Sequence, residues 1–459
     1  MRVLELYSGV GGHRAALHLR TTTKDPQGTD SDASLSDTVT AYDVNEHANS
    51  VYALNYAHTP STMDISLLTA ELHLDAFDMW AMSPPCQPYT RNGPRLESAD
   101  MRANSFLSLL KQIPLLKQPP PRILLENVLG FEKSDSFQLF LEILADCDYK
   151  TQGYLINSNT CGFPNSRPRF YLLAKRAPYV FKNPENNGKH DLVSLEGLTT
   201  NATANPVSNY LEVSANLDES LRISHRALWK AADQYDIVRP THSRTCCFTK
   251  GYGKFARGTG SVLCMASDDE ILEGAMQLGF QETSQAAASN DISCTQEAHA
   301  NDNHNITADS AKARRTQIDW TGGHTPPHIT AALDFLFDLH STLRAKHKPI
   351  IDAAQSEPPK INPRTGEPVR EKRISAKRKR ALDMERGSWP DSLPPSPLSV
   401  LRLRYFSVRE VARLQGFPEW FQFPEKSVLT NEQCWKLLGN SIHVHVVKGL
   451  MNYLLEEGS

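Results

Sequence analysis

No stretch of the chain approaches the roughly 20 consecutive apolar residues of a membrane span, so no transmembrane segment is expected. The opening "MRVLELYSGVGG" lacks a basic leader followed by an apolar run and a cleavage site, and a cytoplasmic location is expected. Cysteine is scarce and scattered, with eight residues at 86, 147, 161, 246, 247, 264, 294 and 434 and no C-x-x-C pair. That spacing suggests neither a disulfide framework nor a zinc ribbon, and no metal is expected; a single reactive thiol stays open. Net charge is also small. At −3 over 459 residues the chain does not read as a generic polyanion binder, although a local basic face can still engage nucleic acid. Internal repeats are missing, and 40% hydrophobic with 22% charged residues describes a globular chain long enough for two or three domains.

What is present is an alternation. "RVLEL" at residues 2 to 6 reads as a strand, and "YSGVGGHRAALHLR" turns through glycines into a helix. "TVTAYDV" ends a second strand at Asp43, ahead of the helix "NEHANSVYALNYA". "FDMWAMSPP", "RILLENV", "YKTQGYLINS" and "RPRFYLLAKR" read as further strands, with "NSFLSLLKQIPLL" and "SFQLFLEILADC" as helices between them. Strands alternating with helices predict an α/β fold, a doubly wound and mostly parallel sheet. Residues 21 to 37 are polar and aperiodic, a surface loop. After about residue 185 the pattern breaks up. Residues 265 to 309 hold nine acidic residues and no Lys or Arg, a composition that predicts disorder. "HITAALDFLFDLHSTLRAKHK" follows as a helix, then a Pro-rich stretch carrying "REKRISAKRKR" at 370 to 380. Regular structure returns at about residue 400.

Several positions can do chemistry. The glycine turn "YSGVGG" lets backbone approach a ligand and aims helix N–H groups at an anion, though such turns are common in folds without one. Asp43 ends a strand where a carboxylate can accept from ribose hydroxyls, and Asp64 with Ile65 can meet an adenine edge and face; each acid can equally cap a helix. The full G-x-G-x-x-G spacing is absent, which disfavours a nicotinamide cofactor. Cys86 follows a strand in "SPPCQP", a loop stiffened by Pro84, Pro85 and Pro88, with Arg91 and Arg95 nearby. A nucleophile and a structural thiol are both compatible with that setting. Glu126 and Asn127 end the apolar strand of "LLENV"; the carboxyl group is either a proton donor or a strand-end carboxylate held by backbone. Arg167 and Arg169 flank a proline with strand spacing and either clamp a phosphate or carbonyl oxygen or lie as surface cations. His443 and His445 read as structural.

In this order, "YSGVGG", "SPPCQP", "ENV", "NSRPRFYLLA" and "LGNSIHVHVV" resemble the motif series of the cytosine-C5 methyltransferases. "LELYSGVGG", "SPPCQPYTRNG", "CCFTKGYGKFARGTGSVL" and "RLQGFP" most resemble the DNA methyltransferase homologue 2 family, which methylates tRNA. The resemblance implies a Rossmann-like class I fold: a catalytic domain at 1 to 185, a smaller target-recognition domain at 186 to 399 with a disordered insertion at 265 to 398, and a returning segment at 400 to 459. It implies a monomer acting on an anticodon-loop cytosine, cytosine 38 of tRNA-Asp, with S-adenosyl-L-methionine as methyl donor. It further implies catalytic Cys86, Glu126, Arg167 and Arg169, and a donor site of Tyr7, Ser8, Gly9, Gly11, Asp43, Asp64, Ile65, Asn440 and Ser441. Asn127, Cys247, Phe248 and Thr249 would hold the base or its loop. DNA methylation, which shares every catalytic motif but is disfavoured by the Cys-Phe-Thr segment, and a catalytically silent nucleic-acid binder are the rivals. The basic run at 370 to 380 is a solvated segment, a nuclear-localisation signal or an RNA-binding arm.

Overall fold

The computed structural model describes residues 1–21, 37–85, 104–199, 203–281, 325–355 and 393–458. Cys86, Arg91 and Arg95, most of the 21 to 37 loop and the basic run at 370 to 380 lie outside the described residues. The chain divides into two compact units, Met1–Asn205 with Cys247–Gly251 and Val408–Ser459, and Pro206–Cys246 with Tyr252–Ser407.

The first unit is built on six strands: β1 (Arg2–Leu6), β2 (Thr38–Tyr42), β3 (Met79–Met82), β4 (Arg122–Val128), β5 (Tyr149–Asn157) and β6 (Pro168–Arg176). Their order in the sheet is β2-β1-β3-β4-β6-β5. The first four pair in parallel, and β6 alone is reversed, antiparallel to both β4 and β5. The near-continuous apolar runs of these strands are what a sheet covered on both faces demands. On one face Leu4, Leu6, Trp80, Met82, Ile123, Leu125, Phe170 and Leu172 form one core with Phe131, Phe137 and Phe140. The opposite face is covered where α1 (Gly12–Thr21) packs with the helix Val444–Leu455, a segment more than 400 residues away in sequence. The chain end is thereby part of the sheet domain.

The glycine turn is positioned by sterics. Gly11 has φ +89°, and a Cβ there would lie 2.5 Å from the Tyr56 ring and 2.9 Å from that of Tyr52. Both rings belong to α2 (Glu46–Tyr56), which is started by Asn45 accepting from the N–H groups of His47 and Ala48.

The second unit holds a small sheet of β7 (Asp236–Val238), β8 (Ser261–Leu263) and β9 (Arg404–Tyr405), with helices His225–Ala231, Asp268–Gln277 and Pro327–Gln355. One expectation needs correcting. The acidic stretch opens as a helix, because Ser267 and Glu270 form a reciprocal capping box and Ile271 and Ala275 reach a core shared with Leu333 and Leu336. Composition averages over a long window and misses a ten-residue helix with three of its four acids in its first turn, where the helix dipole favours them.

Gly11→Ala is expected to cost about 2 to 4 kcal/mol, the sum of a left-handed backbone for a residue with a Cβ and overpacking against two tyrosines. Urea denaturation of the pure protein measures it.

Candidate active site

At the carboxyl end of β1 the backbone turns sharply, with Tyr7 at φ +57° and Gly9 at φ +54°. Asp43, at the end of neighbouring β2, fastens this turn: Gly9 N–H donates to Oδ2 and Asn45 N–H to Oδ1, each at 2.8 Å. Burial pushes the Asp43 carboxyl upward, and the two backbone donors pull against it. Two of its roughly four lone-pair positions are thus spent on the fold, leaving the others for a ligand. Asp64 caps the short turn Ile65–Leu67 by accepting from Ser66 N–H at 2.8 Å, while Ile65 is buried in the core. The Tyr7 hydroxyl donates to Ser105 Oγ at 3.1 Å.

Two hydroxyls are left over. The Oγ atoms of Ser8 and Ser83 are buried without a hydrogen-bond partner among the described residues. They follow β1 and β3, which are adjacent in the sheet. Orphaned hydroxyls at the carboxyl ends of parallel strands are what a bound small molecule with polar groups completes. Ser83 is a site residue that motif reading passed over; its signal is a small polar residue ending an apolar strand.

The end of β4 carries the second half of the site. Glu126 is 7% exposed, and Arg169 Nε lies 3.2 Å from its Oε1. The register explains the pair: Glu126 stands opposite Tyr171 on β6, so Arg169 is its diagonal neighbour on the same face. Asn127 is 1% exposed; its Nδ2 donates to Pro84 O at 3.4 Å and its Oδ1 accepts from Val128 N–H at 2.9 Å. Its amide therefore fastens the start of the Pro84-Pro85 segment, where the sequence reading had it holding a base.

Arg167 and Arg169 do not share a task. Arg167 is 2% exposed and donates to Phe248 O at 3.3 Å, to Gly439 O at 3.4 Å and to Ser441 O, with Cys247 Sγ at 3.5 Å. Its guanidinium is engaged by backbone, so the clamp read from the Arg-Pro-Arg spacing reduces to Arg169. Phe248 is fully buried and contributes packing, and Thr249 Oγ1 accepts from Gly251 N–H at 3.3 Å. Cys247 is half-buried. Asn440 ends the helix Asn431–Gly439, and Ser441 Oγ lies 3.3 Å from where a Cβ on Gly12 would be. The distant "GNS" and the glycine turn are thus neighbours. Cys86, two residues beyond the fastened Pro84, lies outside the described residues.

Behind Arg167 sits His443, fully buried, its ring 4.5 Å from that of Phe163. Nδ1 accepts from Val446 N–H at 3.4 Å and caps the helix Val444–Leu455. Burial, with His445 and Arg167 as cationic neighbours, drives the His443 pKa well below its usual range. The His445 ring lies 5.1 Å from the same Phe163 ring, and Nε2 of His443 has no partner among the described residues.

The sequence profile of the C-5 cytosine-specific DNA methylase family matches residues 1–456. The chain is 30% identical to the tRNA (cytosine(38)-C(5))-methyltransferase of Schizosaccharomyces pombe, covering 99% of this chain and 97% of that one. It is 28% identical to the Homo sapiens protein of the same name, covering 99% of each. Among solved structures it is similar to a mutant of Spodoptera frugiperda DNMT2, at TM-score 0.61 and 26% identity over 99% of both chains.

Arg167→Ala is expected to cost at least about 3 kcal/mol, since it strands several buried carbonyls, and Arg169→Ala about 3 kcal/mol as well, since it leaves the buried Glu126 carboxyl group without its cation. Chemical denaturation of the two variants compares them. For His443, a folded pKa below the unfolded value of about 6.5 gives a stability contribution that is complete above that pH and lost as pH falls through it. His443→Asn keeps a capping side chain without a titration. It is expected to remove about 1.4 kcal/mol per pH unit from the stability slope between pH 6 and 5.

Proposed function

The chain belongs to the C-5 cytosine-specific methylase family, and from that premise we propose that it methylates C5 of a cytosine in a tRNA anticodon loop, with S-adenosyl-L-methionine as donor. The observation that carries this reading is Glu126, buried and paired with Arg169 at 3.2 Å, on the strand whose next residue, Asn127, fastens Pro84 ahead of Cys86. In this reading the donor molecule, when bound, supplies an electrophilic methyl group. The glycine turn with Ser8, Asp43, Asp64, Ile65, Asn440 and Ser441 would hold it, and the orphaned Ser8 and Ser83 hydroxyls fit a polar ligand there.

C5 of cytosine is a poor nucleophile. In this mechanism the Cys86 thiolate adds to C6 while Glu126 delivers a proton to N3, so the ring gains electron density without a net negative charge. Arg169 orients the Glu126 carboxyl group and places a positive charge beside it. C5 then takes the methyl group, whose bond to the donor sulfur breaks to leave a neutral thioether; a base removes the C5 proton, the electron pair left behind expels the thiolate, and N3 returns its proton to Glu126. A loop cytosine is a physically easier target than one in a duplex, because less stacking has to be broken to bring it to a strand-end pocket. The tRNA names of the two curated relatives support RNA over DNA, and cytosine 38 is the position those names carry.

The test is transfer of labelled methyl from S-adenosyl-L-methionine to tRNA and, separately, to duplex DNA. Label is expected in tRNA, to fall to background in Cys86→Ala, and to fall roughly 10²- to 10⁴-fold in kcat for Glu126→Gln. Label entering DNA and not tRNA would transfer the assignment to DNA, and undiminished activity in Cys86→Ala would remove the assigned nucleophile.

A further inference from the structure

Between Thr245 and Ser267 the sequence contains Lys250, Lys254 and Arg257 and no acidic residue, in a chain whose net charge is −3. Within this stretch, the loop from Tyr252 to Gly260 alternates anchors with presented residues. Tyr252 is 2% exposed; its hydroxyl donates to Ser261 O at 2.7 Å and accepts from Phe406 N–H at 2.9 Å. Ala256 is buried in the core of the second unit. Thr259 is buried, and its hydroxyl donates to Phe255 O. Three glycines, Gly253 at φ +78°, Gly258 at φ +68° and Gly260 at φ +146°, supply the backbone reversals between anchors. Between these anchors Lys254 and Phe255 are half-buried, and Arg257 and Gly258 are exposed. Nothing lies within 4 Å of where a Cβ on Gly258 would stand, so backbone is open to close approach.

A cation, an aromatic ring, a second cation and open glycine backbone on a pinned loop match the chemistry of single-stranded nucleic acid, which combines phosphate charge with unstacked bases. A loop that served only to connect β7 to β8 has no need of three anchors, and an acid-free cationic stretch in a chain of slightly negative charge concentrates positive potential at one place. We propose that Lys254 and Arg257 contact phosphodiester groups of a single-stranded RNA loop and that Phe255 stacks on one of its bases. This deepens the tRNA reading and rests on it.

The probe is an unmodified tRNA transcript, with affinity measured from 50 to 200 mM salt for the full-length protein and for the Lys254→Gln, Arg257→Gln double variant. Each phosphate contact on a single strand contributes about 0.7 to the slope of log affinity against log salt, so the slope is expected to fall by about 1.4. Over that salt range the double variant then loses roughly sevenfold less affinity than the parent. Phe255→Leu is expected to weaken binding tenfold or more with the slope unchanged, since stacking carries no counterion release. Arg257→Lys, which keeps the charge, should retain the parent slope. An unchanged slope in a double variant of parental thermal stability overturns the loop assignment alone. Failure of the parent protein to bind tRNA at any salt overturns both this assignment and the RNA reading.

Discussion

The meeting of the first unit's most distant segments hangs on where one buried guanidinium places its protons. Arg167 donates to the carbonyls of Phe248, Gly439 and Ser441, which stand 81, 272 and 274 residues away in sequence. A charge so deeply buried needs partners for its donors, and backbone carbonyls take both terminal nitrogens without a second charge that would also need desolvating, while Nε has no partner among the described residues. The geometry leaves no slack. A Cβ on Gly439 would fall 2.2 Å from Lys250 N, so the strip Cys247–Gly251 and the end of the helix Asn431–Gly439 meet backbone to backbone. Ser441 in turn abuts Gly12 at the start of α1. Through one residue, the methylase motifs that are furthest apart in the chain become a single wall.

The same economy runs through the other polar residues. Asp43 spends two acceptor positions on the N–H groups of Gly9 and Asn45, and Asn127 spends its amide on Pro84 and Val128. These side chains act on the site by holding backbone in place. Among the described residues, groups left for a ligand include the hydroxyls of Ser8 and Ser83, the other lone pairs of Asp43, and the carboxyl group of Glu126 that Arg169 steers. Residues that touch ligand need held neighbours to reach catalytic precision, and here the holders outnumber the held.

The α/β alternation was legible because buried parallel strands are continuous apolar runs of five or so residues, and "RVLEL" and "RILLENV" are such runs. The reversal of β6 was not drawn from them, although the spacing contains it. Only ten residues separate Asn157 from Pro168, and a parallel return needs a crossover of a dozen or more. Glu126, Asp43 and the glycine turn were legible as strand ends. The unequal duties of Arg167 and Arg169 were not, since two arginines at i and i+2 look alike until the carbonyls that claim one of them are known. Those carbonyls belong to backbone, which no residue type announces. Ser83 escaped for a related reason: a serine is read as chemistry only once its hydroxyl is found without a partner.

Proline stiffness also takes its meaning from an anchor. The rings of Pro84 and Pro85 confine φ near −65° at two consecutive residues, so displacement at one end of the pair is transmitted to the other with little loss. A stiff segment attached to a mobile base would only carry that mobility outward. Here the base is Pro84 O, bonded to Asn127, whose neighbour Glu126 is fixed in turn by β6. The described segment that leads to Cys86 in the chain is therefore fastened at the strand end that carries Glu126. A common reference is what covalent addition at C6 with simultaneous protonation at N3 requires, because the two events must meet one planar ring at a fixed offset.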